Sequence, residues 1–299
     1  MSENPNRRDF LGKFAVSTGA AGLVAANGVG ECGAAPRGDS TGLDAQGAET
    51  VPTESKEIRP KSTPAPTSAT TGKTLLAIGA HYDDCVFGIP GILLEAVRKQ
   101  YRVVILNIIG DYAKWSPVKG RAEQLRATNI RLASERGIEV RFLDYASMHF
   151  DVNADTKRAV AEVVADVKPD VAFMLWRRDR HPDHEVASVL SEMALRQPGA
   201  ILGRPGVRAA RRIYAYDNGP GHTIGFEPNT FVDVTAAWPA AMEWLGQLMA
   251  FVRNRPYDPQ SPDRTQTVKQ TLAEYRGLAC GVKYAEAVWA TRPEPREIL

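Results

Sequence analysis

One short segment constrains the fold of this chain more than any other. Residues 74–84 have the sequence TLLAIGAHYDD, in which an apolar run is followed by two small residues and then by polar groups. A continuous apolar run of this length is typical of a strand buried on both faces of a parallel sheet. Open α/β sheets bind ligands outside the carboxyl ends of their strands. The segment therefore predicts a strand that delivers His81, Asp83 and Asp84 to a cleft.

A second polar cluster follows a second apolar run. Residues 171–176 lead into a basic loop and then into the sequence His181-Pro182-Asp183-His184. If both runs are strands of one parallel sheet, their ends meet at the same edge. The two clusters contain three of the five histidines in the chain. The alternative is a purely structural role, in which the aspartates form a turn or a helix N-cap and the histidines bind no metal.

These residue types are the ones that a hydrolytic metal site needs. A catalytic zinc takes three protein ligands from His and Asp or Glu and keeps a further position open. A neighbouring carboxylate can act as general base. The five side chains of the two clusters that fill these roles are His81, Asp83, Asp84, His181 and His184.

The rest of the domain alternates strands with helices. Strands are predicted at residues 74–80, 102–109, 139–143, 170–176, 212–216 and 230–234, and helices at 88–99, 121–136, 154–167, 185–196, 236–252 and 267–278. This alternation predicts an α/β, Rossmann-like fold with a largely parallel sheet and helices on both faces. A dinucleotide site is not expected, because the glycines near the first strand do not form the G-x-G-x-x-G pattern.

The two clusters carry a family resemblance. Ala80-His81-Tyr82-Asp83-Asp84 resembles the AHPDD motif of PIG-L/LmbE-like N-acetylglucosamine deacetylases, and residues 181–184 resemble the HPDH motif of that family. Arg126 resembles the arginine of the family R-x-x-E motif, and residues 284–287 resemble its YAEA tail. The similarity extends from about Thr74 to about Val288. Two residues depart from the pattern: Tyr82 replaces a proline, and Asn129 stands in place of a glutamate.

The resemblance implies a role for each residue of the clusters. His81, Asp84 and His184 match the positions that bind one Zn²⁺ per chain, and another divalent metal would also suit these ligands. Asp83 matches the general base. His181 matches a group that stabilises the oxyanion, for which it is expected to carry a proton when it acts. Either Asp83 or His181 would then protonate the leaving amine.

Further residues are expected around this centre. Asp183 is expected to orient one of the flanking histidines, a supporting role common at metal sites. The resemblance and the predicted strand ends suggest Arg126, Asp111 and Tyr82 as substrate contacts. Trp115 is a candidate to stack on a sugar ring.

Two histidines outside the clusters are not expected to be ligands. His149 and His222 lie in predicted loops and belong to no partnered motif. Both are therefore expected to be surface or capping residues.

The N-terminal region is predicted to be a targeting segment followed by a linker. Residues 1–36 contain Arg7-Arg8 before a weakly apolar stretch, a pattern similar to a twin-arginine export signal. This predicts delivery outside the cytoplasm by the twin-arginine machinery, with membrane contact only if Cys32 is lipidated. Residues 37–72 are rich in Pro, Ser and Thr and predict a disordered linker. The enzyme domain is expected at 73–299.

Composition excludes some functions. The net charge is +2, which argues against broad nucleic-acid binding. The three cysteines form no CxxC pair and no disulfide framework. The combined expectation is a zinc-dependent hydrolase that removes acetyl from an N-acetylated amino sugar or sugar conjugate. The alternatives are a hydrolase of another amide, such as a thiol-sugar conjugate, and an exported sugar-binding protein without turnover.

Overall fold

The computed structural model describes residues 61–62 and 72–293. The predicted export segment at 1–36 lies outside the described residues, as does the predicted linker except for Lys61, Ser62 and Gly72. No helix among the described residues has the length and apolar character needed to cross a membrane.

The described residues form one mixed sheet. Its strands are β1 (Lys61–Ser62), β2 (Thr74–Gly79), β3 (Arg102–Asp111), β4 (Ile138–Ala146), β5 (Val171–Leu175), β6 (Arg212–Tyr216), β7 (Thr230–Asp233) and β8 (Ala285–Ala290). They lie in the order β1-β4-β3-β2-β5-β6-β8-β7. The central strands β4, β3, β2, β5 and β6 are parallel, whereas β1, β8 and β7 join antiparallel. The predicted largely parallel α/β fold is confirmed.

Helices connect these strands. They are α1 (Asp84–Gly88), α2 (Pro90–Arg98), α3 (Ala122–Ser134), α4 (Ala154–Val167), α5 (Pro182–Arg196), α6 (Pro198–Leu202), α7 (Trp238–Val252) and α8 (Arg264–Cys280), with a 3₁₀ turn at Ser116–Val118. The helix predicted at 88–99 is wrong at its start. The chain forms α1 and α2 there, separated by Ile89 with φ −140° and ψ 36°. The residue before a proline is driven out of the helical region, and Pro90 has this effect on Ile89.

The order of the strands determines where a site can form. β2 pairs with β3 on one side and with β5 on the other. The chain therefore leaves β2 in one direction through β3 and β4 and then crosses to its other side at β5. Such a reversal opens a crevice at the carboxyl ends of the two strands. Five of the six residues of β2 are buried, which fixes the strand in the core below that crevice.

The edge of the sheet differs from the prediction. Lys61 and Ser62 belong to the predicted linker, yet they pair antiparallel with β4 opposite Phe142 and Arg141. β4 is otherwise the last strand on that side, and an edge strand offers unpaired backbone groups to a passing segment. β8 was not predicted as a strand; it lies between β6 and β7 and its first four residues are buried.

Candidate active site

His81, Asp84 and His184 converge at the crevice between β2 and β5. His81 Nδ1 lies 3.1 Å from His184 Nε2, and His184 Nε2 lies 3.3 Å from Asp84 Oδ1. Asp84 Oδ2 accepts hydrogen bonds from the backbone N–H groups of Ala80 and His81 at 2.7 and 2.8 Å. These bonds fold α1 back onto the end of β2. A side chain at Gly79 would obstruct this fold, because its Cβ would lie 2.8 Å from Asp84 Cβ.

Each of the two histidines also faces a carboxylate on its outer nitrogen. His81 Nε2 lies 3.3 Å from Asp183 Oδ2, so Asp183 stands where the sequence predicted an orienting carboxylate. His184 Nδ1 lies 3.1 Å from Asp179 Oδ2, in an ion-pair contact that is not an aligned hydrogen bond. Histidines that bind metals typically present their second nitrogen to such a carboxylate. Asp179 was not predicted, because in the sequence it is one residue of a basic loop.

The electrostatics of the cluster favour a cation at its centre. Burial disfavours the charged form of His184, but Asp84 and Asp179 outweigh this effect and raise its pKa. For His81 the hydrogen bonds to Asp183 and Asp84 likewise overcome burial and raise the pKa. Because the facing nitrogens are 3.1 Å apart, they share a proton rather than each carrying one. The carboxylates around the cluster therefore favour more positive charge at its centre than the two imidazole rings can carry.

The donor set fits a divalent metal. Two imidazole nitrogens and one carboxylate are ligands typical of catalytic zinc. His181 is close enough to enter a ligand set, since one nitrogen from each of His81, His181 and His184 lies within 4.8 Å of the others. A second group of donors, Asp179, His184 and His222, satisfies the same distance. The residues present thus fit a metal, and the division of roles among them remains a prediction.

His181 precedes α5 as its N-cap. Its Nδ1 accepts a hydrogen bond from the Asp183 backbone N–H at 3.3 Å. The neutral ring therefore carries its proton on Nε2. Burial and the charges of His81 and His184 lower the pKa of His181. We expected this side chain to act in its charged form; its surroundings favour a neutral ring that donates from Nε2.

Asp83 is half-buried beside Asp84 and lines the adjoining cavity. Burial raises the pKa of Asp83, and the negative charge of Asp84 raises it further. By contrast, the positive charge and hydrogen bonds of His184 and His81 outweigh burial and hold the pKa of Asp84 well below its usual range. The two adjacent carboxylates are thus differentiated, with Asp84 permanently charged and Asp83 able to accept a proton.

A cavity of about 910 Å³ opens over this cluster. One wall is aromatic: the ring of Tyr82 lies 5.6 Å from that of Tyr112 and 5.4 Å from that of Trp115. Aromatic faces at the mouth of a site suit the apolar face of a sugar ring. Tyr82 and Trp115 therefore lie where the sequence placed potential substrate contacts.

The other predicted substrate contacts differ in position. Asp111 lines the cavity, although its Oδ1 also accepts a hydrogen bond from Ala113 N at 2.9 Å. Arg126 does not line it. Its guanidinium donates to Gly110 O at 3.3 Å and lies 3.4 Å from Asp144, so it joins the ends of β3 and β4. The structure thus separates Arg126 from the region that substrate would enter.

Asn129, one of the two residues that depart from the family pattern, has a structural role in this chain. It is buried, and its Nδ2 donates to the backbone carbonyl of Tyr82 at 2.7 Å. The side chain therefore ties α3 to the loop that carries the cluster.

Several cavity residues were missed by sequence reasoning. His222 and His149 are exposed, as expected, yet both line the cavity, and the His222 ring lies 5.3 Å from that of His184. Asn218 donates from Nδ2 to Asp84 Oδ1 at 2.8 Å. Arg253 and Arg264 complete the lining from the C-terminal part of the domain. These residues lie in loops or at helix ends without a local pattern, so only the tertiary fold reveals them.

Comparisons with known proteins agree with this geometry. Residues 76–195 match the family model described as PIG-L, GlcNAc-PI de-N-acetylase. The chain is 24% identical over 232 residues to the diacetylchitobiose deacetylase of Thermococcus kodakarensis, an alignment that covers 72% of this chain and 82% of that protein.

Two further matches are to proteins described as hydratases. The chain is 24% identical over 181 residues to the 4-oxalmesaconate hydratase of Pseudomonas putida, covering 56% of this chain and 70% of that protein. The crystal structure of the 4-carboxy-2-hydroxymuconate hydratase from Pseudomonas putida KT2440 superposes with a TM-score of 0.63 at 20% identity, covering 76% and 99% of the two chains. This last match shows that the fold is shared. The similarity to the PIG-L family model lies in residues 76–195, the part of the chain that contains both polar clusters.

Proposed function

We propose that this protein is a zinc-dependent hydrolase that removes the acetyl group from an N-acetylated amino sugar or sugar conjugate. The observation that carries the proposal is the convergence of His81, Asp84 and His184, with Asp183 and Asp179 behind the two imidazoles. The similarity to a diacetylchitobiose deacetylase supports an N-acetylated sugar as the substrate.

The residues of the site divide the reaction among them. A zinc ion held by His81, Asp84 and His184 would supply Lewis acidity, which polarises a carbonyl and acidifies water. Asp83 takes the proton of the attacking water, a role for which its raised pKa is suited. His181 donates a hydrogen bond from its Nε2–H to the acetamide oxygen as negative charge develops there. Asp83 then returns its proton to the departing amine, and His181, as a neutral ring, keeps its Nε2 proton throughout.

The cavity suits a substrate larger than a single sugar. Its volume of about 910 Å³ lies at the upper end of the range of small-molecule sites. The acetyl group would enter beside Asp83, while the sugar ring packs against Tyr82 and Trp115. A second unit would then extend toward the C-terminal lining residues. Within this scheme a thiol-sugar conjugate remains an alternative substrate, because its extra group would occupy the same outer space.

A hydratase is a second candidate function. The similarity to 4-oxalmesaconate hydratase favours it. So does the cavity lining, because Lys114 and Arg264 line it and neither forms an ion pair within the described part of the chain. Unpaired cations of this kind suit a substrate with several carboxylates. The non-catalytic sugar-binding protein is less well supported, because a binding site needs neither the metal ligands nor a carboxylate with the raised pKa of Asp83.

Three substrates distinguish the candidates. The purified domain, loaded with zinc, is incubated separately with N,N'-diacetylchitobiose, N-acetylglucosamine and 4-oxalmesaconate. Release of free amine and acetate from a sugar supports the proposal. Loss of the unsaturated substrate without amine release would assign the protein to the hydratases. No turnover of any substrate, with sugar binding retained, would support the binding protein.

We also propose that the domain is exported by the twin-arginine route, on the basis of Arg7-Arg8 and the apolar stretch that follows. Replacing both arginines with lysine should leave the full-length protein in the cytoplasm. Normal delivery of this double variant outside the membrane would contradict the proposal. A Cys32→Ser variant tests lipidation separately: unchanged partition into membranes would show that Cys32 is not an anchor.

A further inference from the structure

The C-terminal part of the domain contains buried charges that the proposed reaction does not use. Lys269 and Glu286 are 1% and 0% exposed, and Arg276 and Asp217 are 5% and 6% exposed. None of the four lines the cavity. Charges are expensive to bury unless they are paired in good geometry. Their placement is therefore tied closely to the groups that they contact.

Lys269 and Glu286 hold the junction between α1 and α2. Lys269 Nζ donates to Gly88 O, the last carbonyl of α1, at 2.8 Å and lies 2.9 Å from Glu286 Oε1. Glu286 in turn accepts hydrogen bonds from the N–H groups of Gly91 and Ile92 at the start of α2, at 3.1 and 2.8 Å. A cation at a helix C-terminus and an anion at a helix N-terminus are the signs that the helix dipoles favour.

Arg276 and Asp217 hold the segment that contacts the Asp84 side chain. Arg276 Nη2 donates to Asp217 Oδ1 at 2.5 Å, and Asp217 Oδ2 accepts from Gly219 N at 3.3 Å. Asn218 lies between these two anchored residues. Its Nδ2 donates to Asp84 Oδ1, the carboxylate oxygen that faces His184. Arg276 therefore fixes the short segment from which Asn218 reaches Asp84.

Both ion pairs thus bear on the position of Asp84, one through the backbone of α1 and the other through Asn218. Asp84 is the first residue of α1, which has only five residues. A helix this short is not stable on its own, so its direction depends on what holds its ends. Lys269 secures the end opposite Asp84, and Arg276 secures the partner of the Asp84 side chain.

We propose that Lys269, Glu286 and Arg276 are positioning residues that hold Asp84 in the geometry for binding metal. They touch neither the metal ligands' donor atoms nor the cavity, and they belong to α8 and β8, outside residues 76–195. On this view the metal centre is complete only when the C-terminal helix and strand are packed behind it. The inference rests on the proposed function for the role of Asp84 as a ligand.

The test measures zinc affinity in Lys269→Met and Arg276→Met. The matched control is Arg141→Met. Arg141 is also 5% exposed and pairs with Glu139 and Asp166, but it lies on β4 and does not line the cavity. Each substitution removes a cation from a buried carboxylate, namely Glu286, Asp217 or Glu139. Glu139 keeps Arg102 as a second partner at 2.8 Å, but all three variants should have a lower melting temperature.

Zinc affinity separates the variants. It is measured by competition with a chelator at a temperature well below each melting transition. Lys269→Met and Arg276→Met should bind zinc roughly 10–100-fold more weakly, the scale seen when outer partners of metal ligands are removed. Arg141→Met should bind as the wild type does. If Arg276→Met does not fold, Arg276→Lys replaces it, and a smaller loss of affinity is expected because the charge is retained.

Wild-type zinc affinity in both Lys269→Met and the Arg276 variant would overturn the inference and leave a purely structural role. An equal loss of affinity in Arg141→Met would also overturn it, because the effect would then follow stability alone. A wild-type protein that binds zinc but releases no amine would contradict the proposed function. The zinc affinities of the variants would still test the positioning role. A wild-type protein that binds no zinc would overturn both.

Discussion

The two parts of the domain contribute to the site in different ways. Residues 74–196 supply the metal-binding cluster at the ends of β2 and β5, and the family model covers almost all of this part. Residues 210–290 supply eight of the 22 residues that line the cavity, among them Asn218, whose side chain supports Asp84. The cluster thus comes from short local motifs, whereas the second part of the lining comes from residues without a motif.

The largest effect is expected from removing a ligand in the first part. His184→Ala should abolish both zinc binding and turnover, because a site with two ligands holds zinc poorly. Metal content after dialysis checks this. His149→Ala is the control, since His149 lines the same cavity but its Nδ1 faces Ser147 O. Stoichiometric zinc and full activity in His184→Ala would remove this residue from the ligand set.

Asp83→Asn should separate base catalysis from metal binding. We expect zinc to be retained and kcat to fall by roughly 10²–10⁴-fold. The base must be deprotonated to act, and its raised pKa means that activity is lost with falling pH above the usual aspartate range. The pH profile of kcat/KM should therefore lose its acidic limb in this variant. Loss of zinc instead would show that Asp83 and Asp84 have exchanged roles.

His181→Ala should keep zinc and lower kcat. The expected loss of transition-state stabilisation is roughly 2.7–4 kcal/mol, the scale of one oxyanion donor. His181→Gln, which retains an N–H donor, should recover part of the activity. If His181→Ala loses its zinc, the residue is a ligand, as its distance to His81 and His184 would permit.

Substituting the carboxylates that face the outer nitrogens of His81 and His184 should have a smaller effect. Asp183→Asn and Asp179→Asn should each weaken zinc binding by roughly 10–100-fold, because the outer carboxylate makes its histidine a stronger ligand. Chelator competition measures the change. Asp183 also accepts from Ser147 Oγ and Met148 N, so its variant is expected to lose more thermal stability as well. Unchanged affinity in both variants would contradict the pairing described above.

The smallest effect is expected at Arg126. Arg126→Gln should leave KM unchanged, because the side chain joins β3 to β4 and does not line the cavity. Trp115→Ala is the comparison and should raise KM by about 2–10-fold, the equivalent of roughly 0.5–1.5 kcal/mol of aromatic contact. A KM that rises more in Arg126→Gln than in Trp115→Ala would restore Arg126 as a substrate contact.

Sequence reasoning succeeded where a local pattern reports directly on the fold. Apolar runs located the parallel strands, and polar residues at the ends of two of them located the cluster. It failed where neighbours in space decide the outcome. The break at Ile89 is a different case, because the proline that follows it is a local signal in the sequence. Asp179 and His222 appear unremarkable in the chain, and only the approach of their loops to His184 gives them a role.

The charge state of His181 shows the same limit. Its sequence neighbours include two aspartates, which would favour a charged ring. In the fold the ring is partly buried beside His81 and His184, and these surroundings lower its pKa.

The most direct test of the central claim is a zinc titration of the metal-free protein, followed by amine release from N,N'-diacetylchitobiose. If His81, Asp84 and His184 form one catalytic metal site, activity should rise linearly with added zinc and level off at about one equivalent per chain. A chelator should then remove the activity, and renewed zinc should restore it. Full turnover by the metal-free protein, unchanged by zinc or chelator, would contradict the account.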